Sequence, residues 1–265
     1  MKLPRAVRWT LGVCLAVFVV FLYTPIAMVF VSSVNANRLT ALPWRGFTTN
    51  WYARIPLEPG LLDALRNSLL VATSVATTAT TLGFLAAYAL RRRSIRGQDL
   101  VLALVASPLA IPWVLLGLAF VLFFNTVGVP AGIVAIWIAH TTFAAPLALM
   151  VIRPRMNALA GSLEEAATDL GASASQLLFD VILPLCAPAL VAAFLLTFTL
   201  SFDEFIMAWF VSGFQVTLPV RIWTALRSGI SPSISAVSVI VLTVSITLVV
   251  VASRINRGRL LFLSP

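Results

Sequence analysis

Charged residues are scarce in this chain: only 10% of its 265 residues are Asp, Glu, Lys or Arg, while 60% are hydrophobic. Together with a mean hydropathy of +1.02, this composition excludes an ordinary soluble domain. About twenty apolar residues, rising 1.5 Å each, cross a hydrocarbon layer of roughly 30 Å. The long apolar runs therefore predict an all-α, polytopic membrane protein with six spans, at about Thr10–Val31, Leu69–Leu90, Leu100–Phe124, Ile133–Ile152, Ala187–Val211 and Ile234–Ala252.

Lysine, histidine and cysteine are also nearly absent. Lys2 is the only lysine, so the chain lacks the lysine that a Gly-x-x-x-x-Gly phosphate-binding loop requires. Any ATP-driven step must come from another subunit. His140 is the only histidine, and with no further ligands nearby a hydrogen-bonded packing role is favoured over metal binding or proton relay. Cys14 and Cys186 fall in or beside apolar runs without metal or redox spacing, which indicates packing.

The net charge of +9 is distributed as in a membrane protein, and we expect no nucleic-acid partner. With six spans and an inside start, twelve basic residues lie inside and six outside, as expected because basic segments resist translocation. Both termini are therefore predicted to be cytoplasmic. The first apolar run is too long for the core of a secretory signal, so it is predicted to be a retained helix.

Three segments carry weaker signals. The outside loop 32–67 contains Trp44 and Trp51, which suit a short helix at the membrane interface, with partner recognition as the alternative. Span two is rich in hydroxyl and small residues, which indicates helix packing, with a substrate path as the alternative. Span three contains Pro108 and Pro112, which predict a bent or broken helix.

A polar interval between spans four and five predicts two short helices. Ser162 and Glu165 fit a capping box at the first helix start, and Gly171 fits the left-handed residue that ends it. Ser173 and Gln176 fit a second box, whose helix would run toward Asp180 and stop at Pro184. An amphipathic loop resting on the membrane is the alternative interpretation.

This interval resembles the EAA loop of permease subunits in binding-protein-dependent ATP-binding-cassette importers. The matching residues are Glu165, Ala166, Ala167, Gly171, Val181, Leu183 and Pro184. In that family the short helices dock into a groove on the ATPase and transmit its closure to the spans. The resemblance implies ATPase-coupling roles for Glu164, Glu165, Ala166, Ala167, Gly171, Leu177, Leu178 and Pro184. It also implies a bacterial inner-membrane location and no cofactor in this chain, since ATP and magnesium would lie on partner subunits.

The resemblance extends over about Asn67–Ala252 and implies a MetI-like fold. Segments such as Phe202-Asp-Glu-Phe and Leu218-Pro-Val-Arg-Ile-Trp are most similar to the spermidine/putrescine permease branch. Three parts are predicted: an N-terminal helix with its outside loop, a five-helix core and a cytoplasmic tail. Their ranges are 1–62, 63–255 (with the coupling loop at about 153–184) and 256–265.

An acidic pair, Asp203 and Glu204, lies inside predicted span five. Charge there costs at least about 2.5 kcal/mol per residue on insertion scales, so it should face a cavity or a partner. Glu204 shares a helical face with Thr197 and Ser201. The predicted substrate path consists of Asp203, Glu204, Thr197 and Ser201. The alternative is an internal ion pair with Arg221, Arg227 or an arginine of a second permease.

The sequence thus predicts a transporter subunit, not an enzyme, that moves a small cation such as a polyamine. Its partners would be a second permease, two ATPase subunits, an external binding protein and membrane lipid. Importers of opines or amino-acid derivatives remain alternatives, as does an ion-coupled secondary transporter using Asp203, Glu204 and His140. The secondary class usually has repeated halves, which this sequence does not show, and a scaffold without transport would leave the acids unexplained.

Overall fold

The computed structural model describes residues 4–37, 43–92, 97–228 and 232–261. These residues are almost entirely helical and contain, outside helices, one isolated β-bridge between Asn35 and Phe47. Contacts divide the chain into one unit formed by residues 1–62 and 222–265 and a second unit formed by residues 63–221. The first unit therefore combines both ends of the chain, whereas the sequence assigned residues 63–255 to a single core.

The helices occur in the following order. They are α1 Arg5–Val34, α2 Asn50–Arg54, α3 Leu61–Arg92, α4 Gln98–Ala106, α5 Trp113–Val127, α6 Ile133–Asn157, α7 Gly161–Asp169, α8 Ala174–Gln176, α9 Leu183–Asp203, α10 Ile206–Val211, α11 Leu218–Ser228 and α12 Pro232–Leu261. A π-helical segment, Leu177–Ile182, joins α8 to α9 without a break. Short 3₁₀ turns follow α2 and α4.

In the first unit, α1 and α2 pack against α12. The predicted short helix of the outside loop is confirmed as α2, where Trp51 is buried and donates a hydrogen bond of 2.7 Å from its indole nitrogen to the Asn35 carbonyl. Trp51 therefore holds the loop together. Trp44, by contrast, is exposed and suits the interface.

In the second unit, α6 is the central helix and packs against α9, α10 and α4. One side of it is fully buried, with Ile136, His140, Phe143 and Ile152 among its core residues. α3 approaches α6 closely at Gly83, where a methyl group would lie 2.7 Å from the Leu149 backbone nitrogen. Glycine is required there because small residues let membrane helices approach backbone to backbone.

Span three is broken, as its prolines predicted. α4 and α5 meet at an angle of 98° around the turn that contains Pro108 and Pro112. Each proline removes one backbone donor, and the helix breaks at the turn that contains both of them.

Four helices of the described part are long and apolar enough to cross a membrane, and the bent pair α4–α5 makes a fifth if it is one span. The predicted sixth span, Ile234–Ala252, lies on α12, whose described apolar stretch covers only Pro232–Val244. Part of that span lies outside the residues whose side chains are described. The count of six therefore stays a prediction.

Candidate functional site

The coupling segment, Gly161–Pro184, follows α6 directly and leads into α9. Its first helix, α7, ends in a Schellman motif: the Gly171 N–H donates to the Thr168 carbonyl at 2.9 Å and the Ala172 N–H to the Ala167 carbonyl at 3.0 Å. Gly171 has a φ of +85°. The predicted left-handed glycine is confirmed, and it turns the chain so that a second helix can begin three residues later.

The second predicted capping box is also confirmed. The Gln176 N–H donates to the Ser173 hydroxyl at 3.3 Å, and the Gln176 side chain accepts from the Ser173 N–H at 2.8 Å. The first predicted box, at Ser162, is wrong. α7 begins two residues earlier than expected, Ala160 occupies the cap position, and no side-chain cap is present there. Ser162 therefore lies inside the first turn, where its hydroxyl cannot cap the helix.

Pro184 does not stop the second helix, contrary to the sequence-based prediction. Residues Ala174–Asp203 form one continuous helix, with Pro184 near the start of α9. The preceding turns are π-helical: the Leu183 N–H bonds to the Leu178 carbonyl, five residues back. This wider winding accommodates a residue that has no N–H, and the helix continues through Pro184.

The coupling segment leaves large apolar side chains uncovered. Leu170 is 89% exposed, Phe179 is 61% exposed and Leu163 is 45% exposed. The sequence analysis did not select these three residues, although Leu170 directly precedes the predicted turn at Gly171. Of the residues it named, Glu165, Ala166 and Gly171 are exposed, whereas Ala167 and Leu178 are half-buried and Leu177 is buried. The segment thus has an inner anchored face and an outer apolar face.

Arg91, at the end of α3, ties the coupling segment to the helical core. Its guanidinium donates to the carbonyls of Met156 at 2.6 Å and Leu159 at 2.9 Å, and it forms an ion pair of 2.9 Å with Glu164. Arg92 is more distant from Glu164, at 3.9 Å, and more exposed. The sequence gave no signal for this contact, because Arg91 and Glu164 are far apart along the chain.

The acidic pair lies at the end of α9, where the helix breaks. Glu204 is 2% exposed, and its extended backbone separates α9 from α10. Its carboxylate accepts hydrogen bonds from the N–H groups of Met207 at 2.9 Å and Ala208 at 3.0 Å, which satisfies free donors at the start of α10. Glu204 therefore ends one helix and caps the next.

The partner of Glu204 is His140. His140 Nε2 lies 3.0 Å from Glu204 Oε2, in a close electrostatic contact whose direction is poor for a hydrogen bond. On the other side of the ring, His140 Nδ1 lies 2.9 Å from the Ser201 hydroxyl. The hydrogen-bonded environment predicted for His140 is confirmed. The structure thus brings Glu204 together with His140 and not with Arg221 or Arg227 of this chain.

Thr197 and Ser201 lie on the same buried face of α9, and the Thr197 hydroxyl donates back to the Ala193 carbonyl at 2.8 Å. Asp203 points elsewhere, is exposed, and forms no ion pair or hydrogen bond within the described part of the chain. The four predicted path residues therefore separate into a buried, bonded group and one open carboxylate. Among the residues that the structure describes, no set of three His, Cys, Asp or Glu side chains could hold a metal ion.

Two bacterial permease proteins are similar to this chain in sequence. The spermidine/putrescine transport system permease protein PotC of Haemophilus influenzae is 36% identical over 238 residues, which cover 89% of this chain and 92% of that protein. The putrescine transport system permease protein PotI of Escherichia coli K12 is 36% identical over 242 residues, covering 88% of this chain and 85% of that protein.

Among solved structures, a bacterial ABC transporter involved in the import of the acidic polysaccharide alginate matches with a TM-score of 0.70 and 20% identity. The match covers 97% of this chain and 99% of that chain. The MetNI methionine ABC transporter matches with a TM-score of 0.61, 20% identity and coverage of 77% and 97%. At these identities the structures show a shared fold.

A family model described as the inner membrane component of binding-protein-dependent transport systems matches residues 79–260. That range includes the coupling segment, the His140–Glu204 contact and Asp203. Proteins of this family are multi-pass inner-membrane permease subunits and not enzymes. With a match over more than half of its length, this chain belongs to the family of inner membrane components of binding-protein-dependent transport systems.

Proposed function

We propose that this chain is one of two permease subunits of an ATP-driven importer for polyamines such as spermidine or putrescine. The observation that carries the proposal is the coupling segment, a helix–glycine turn–helix with an uncovered apolar outer face. The substrate class is supported by relatives that are named as polyamine permeases and align with almost the whole chain. Its other partners would be two ATPase subunits and an external binding protein.

The outer face of the coupling segment is the proposed ATPase contact. Leu163, Leu170 and Phe179 would enter an apolar groove of the ATPase, next to the exposed residues Glu165 and Ala166. Motion of the segment would reach the spans by two connections. One is the unbroken helix from Ala174 to Asp203, and the other is the contact of Arg91 with Glu164.

The charge distribution supports the proposed orientation of the chain in the membrane. The coupling segment must lie in the cytoplasm to reach an ATPase, and the excess of basic residues on the same side supports this placement. With six spans, both termini would also be cytoplasmic. A maleimide reagent that does not cross membranes should then label Leu170→Cys only after the cells are opened, in a background without Cys14 and Cys186.

Asp203 is the proposed cation contact of the substrate path. A carboxylate in a membrane-spanning segment is retained only if it faces a water-filled cavity or a partner, and Asp203 has no partner among the described residues. A dication passing along this face of α9 would neutralise it. Glu204, with Ser201 and Thr197, would border the path and hold the end of α9 in place.

The test is reconstitution of the chain with the second permease, the ATPases and the binding protein. ATPase activity should rise when the binding protein is loaded with spermidine or putrescine, and should not rise with a neutral polyol. If only an amino-acid derivative stimulates the ATPase, the proposal of an ATP-driven importer is supported but the proposed substrate class is wrong. Uptake that proceeds without ATP and follows an ion gradient would contradict the proposal itself.

A matched pair of variants tests the ATPase contact. Leu170→Arg places a charge on the outer face of the coupling segment and should abolish co-purification of the ATPase. Leu57→Arg makes the same change at another exposed leucine, on the predicted outer side, and should leave co-purification intact. Equal loss in both variants would show a general folding defect instead of a docking surface.

A further inference from the structure

A crevice between α4 and α6 has features that no part of the proposed import mechanism uses. It has a volume of about 220 Å³ and lies within the second unit. From α4 it is lined by Leu102, Val105 and Ala106. From α6 it is lined by residues between Pro146 and Asn157, and its lining is apolar except for Arg153 and Asn157.

The polar end of the crevice carries a cationic side chain with one buried donor that has no partner among the described residues. Arg153 is half-buried, its Nε atom is buried, and the side chain forms no hydrogen bond or ion pair within the described part of the chain. A buried donor without an acceptor costs free energy, and a charged group costs more. A neighbouring arginine, Arg155, donates instead from its Nε to the Leu185 carbonyl at 3.0 Å. The missing partner of Arg153 should therefore be an anion.

The length and position of the crevice limit what that anion can be. Pro146 and Asn157 are eleven positions apart, or roughly 16 Å along a helix. This length is close to one leaflet, about half of a 30 Å hydrocarbon layer. Arg153 and Asn157 lie at the end of α6 that leads into the coupling segment, which is where a headgroup would be. The apolar remainder of the crevice lies deeper in the membrane.

We propose that this crevice binds one anionic phospholipid, with its phosphate at Arg153 and Asn157 and an acyl chain between α4 and α6. The arginine fork suits a phosphate because it can donate two parallel hydrogen bonds. Basic pockets between spans on the cytoplasmic side are a recognised form of anionic lipid site. A free anion would satisfy Arg153 but would leave the apolar crevice unfilled.

The experiment is native mass spectrometry of the delipidated full-length chain, together with the partners that co-purify with it, titrated with dioleoyl phosphatidylglycerol or dioleoyl phosphatidylcholine. One phosphatidylglycerol should bind more tightly than phosphatidylcholine. Arg153→Gln should weaken phosphatidylglycerol binding about fivefold, since a surface arginine contributes about 1 kcal/mol toward anionic lipid. Arg153→Lys should retain most of the affinity. Arg155→Gln, which removes the same charge two residues away, should change it little.

A second variant tests the apolar part without changing charge. Ala106→Phe fills the crevice and should lower occupancy by both lipids. The proposal is overturned if Arg153→Gln binds phosphatidylglycerol as the wild type does, or if Arg155→Gln loses as much. It is also overturned if Ala106→Phe releases the second permease, because the crevice would then be a protein interface. If Arg153→Gln does not fold, undiminished lipid binding by Ala106→Phe is sufficient to overturn it. These readouts do not involve transport, so they are independent of the substrate assignment.

Discussion

At the scale of single residues, two adjacent carboxylates occupy opposite environments. Glu204 accepts hydrogen bonds from two backbone N–H groups and contacts His140, whereas Asp203 is exposed on the other side of α9. Adjacent positions on a helix point about 100° apart, so one carboxylate is committed to internal contacts while its neighbour is free to meet a solute.

This difference predicts opposite effects of neutralising the two acids. Glu204→Ala removes a buried acceptor from two amides and from His140, and should destabilise the protein by about 3 kcal/mol, a typical cost of breaking a buried pair. Asp203→Asn should leave the melting temperature of the detergent-solubilised protein nearly unchanged, because surface changes are usually within about 0.5 kcal/mol. It should instead reduce uptake of a dication.

The two measurements are a thermal melt and a transport assay on the same preparations. Glu204→Gln serves as the control, since its amide oxygen still accepts one of the hydrogen bonds. Equal melting temperatures for Glu204→Ala and Asp203→Asn would contradict the assignment of Glu204 to the helix break. Unchanged dication uptake by Asp203→Asn would remove Asp203 from the substrate path.

The sequence could identify these residues but not their pairing. Periodicity placed Thr197, Ser201 and Glu204 on one face, and all three are buried together. The same reasoning assumed a continuous helix through Ala208, but the chain breaks at Glu204 because its carboxylate caps α10. The choice of His140 over an arginine depends on how α6 crosses α9. Local sequence holds no information on that crossing.

At the scale of elements, the turn at Gly171 decides the direction of the second short helix. A side chain at this position meets no atom within 4 Å, so only the backbone angle of +85° restricts it. Gly171→Val should cost roughly 1–2 kcal/mol in the left-handed region and misdirect the outer apolar face, with loss of ATPase co-purification. Gly171→Asn should retain most of the binding, because asparagine tolerates that conformation. Equal ATPase binding by both variants would contradict the requirement for a left-handed backbone at this position.

The contacts of Arg91 lead us to expect a variant that still binds the ATPase but transports poorly. Arg91→Ala removes the ion pair with Glu164 and the hydrogen bonds to Met156 and Leu159, but leaves the outer face of the coupling segment intact. The ATPase should still co-purify, while transport per ATP hydrolysed falls severalfold. Arg92→Ala is the matched control, because Arg92 is 3.9 Å from Glu164, and it should have a much smaller effect. Loss of the ATPase from the Arg91 variant would mean that Arg91 acts on docking itself.

In the coupling segment, helix caps formed by residues close together in the sequence could be predicted correctly. The Ser173 box and the Gly171 turn involve residues within five positions, and both are confirmed. Ser162 was misassigned because a serine with a glutamate three residues on fits equally well inside a first turn. Pro184 was misassigned because the π-helical winding before it is set by tertiary packing of Leu177 and Ile182, which are both buried.

At the scale of the whole molecule, the contact of α3 with α6 sets how tightly the second unit packs. Gly83→Val should force the two helices apart, because even a methyl group would meet the Leu149 and Ala148 backbones at 2.7–2.9 Å. A cost of about 1–3 kcal/mol is expected for overpacking of this kind, visible as a lower melting temperature. Gly12→Val on α1 is the control, since nothing lies within 4 Å of that position. A normal melting temperature for Gly83→Val would mean that α3 can move away from α6 at little cost.

The continuous helix from Ala174 to Asp203 spans 30 residues, or about 45 Å at the usual rise. Over that length, a tilt of only about 5° about one end shifts the other end by roughly 4 Å. Such a shift exceeds the reach of a hydrogen bond. A small rotation imposed near Gly171 would therefore be enough to separate Glu204 from His140 at the far end of the helix. The contact between these two buried side chains would resist the first few degrees of that rotation.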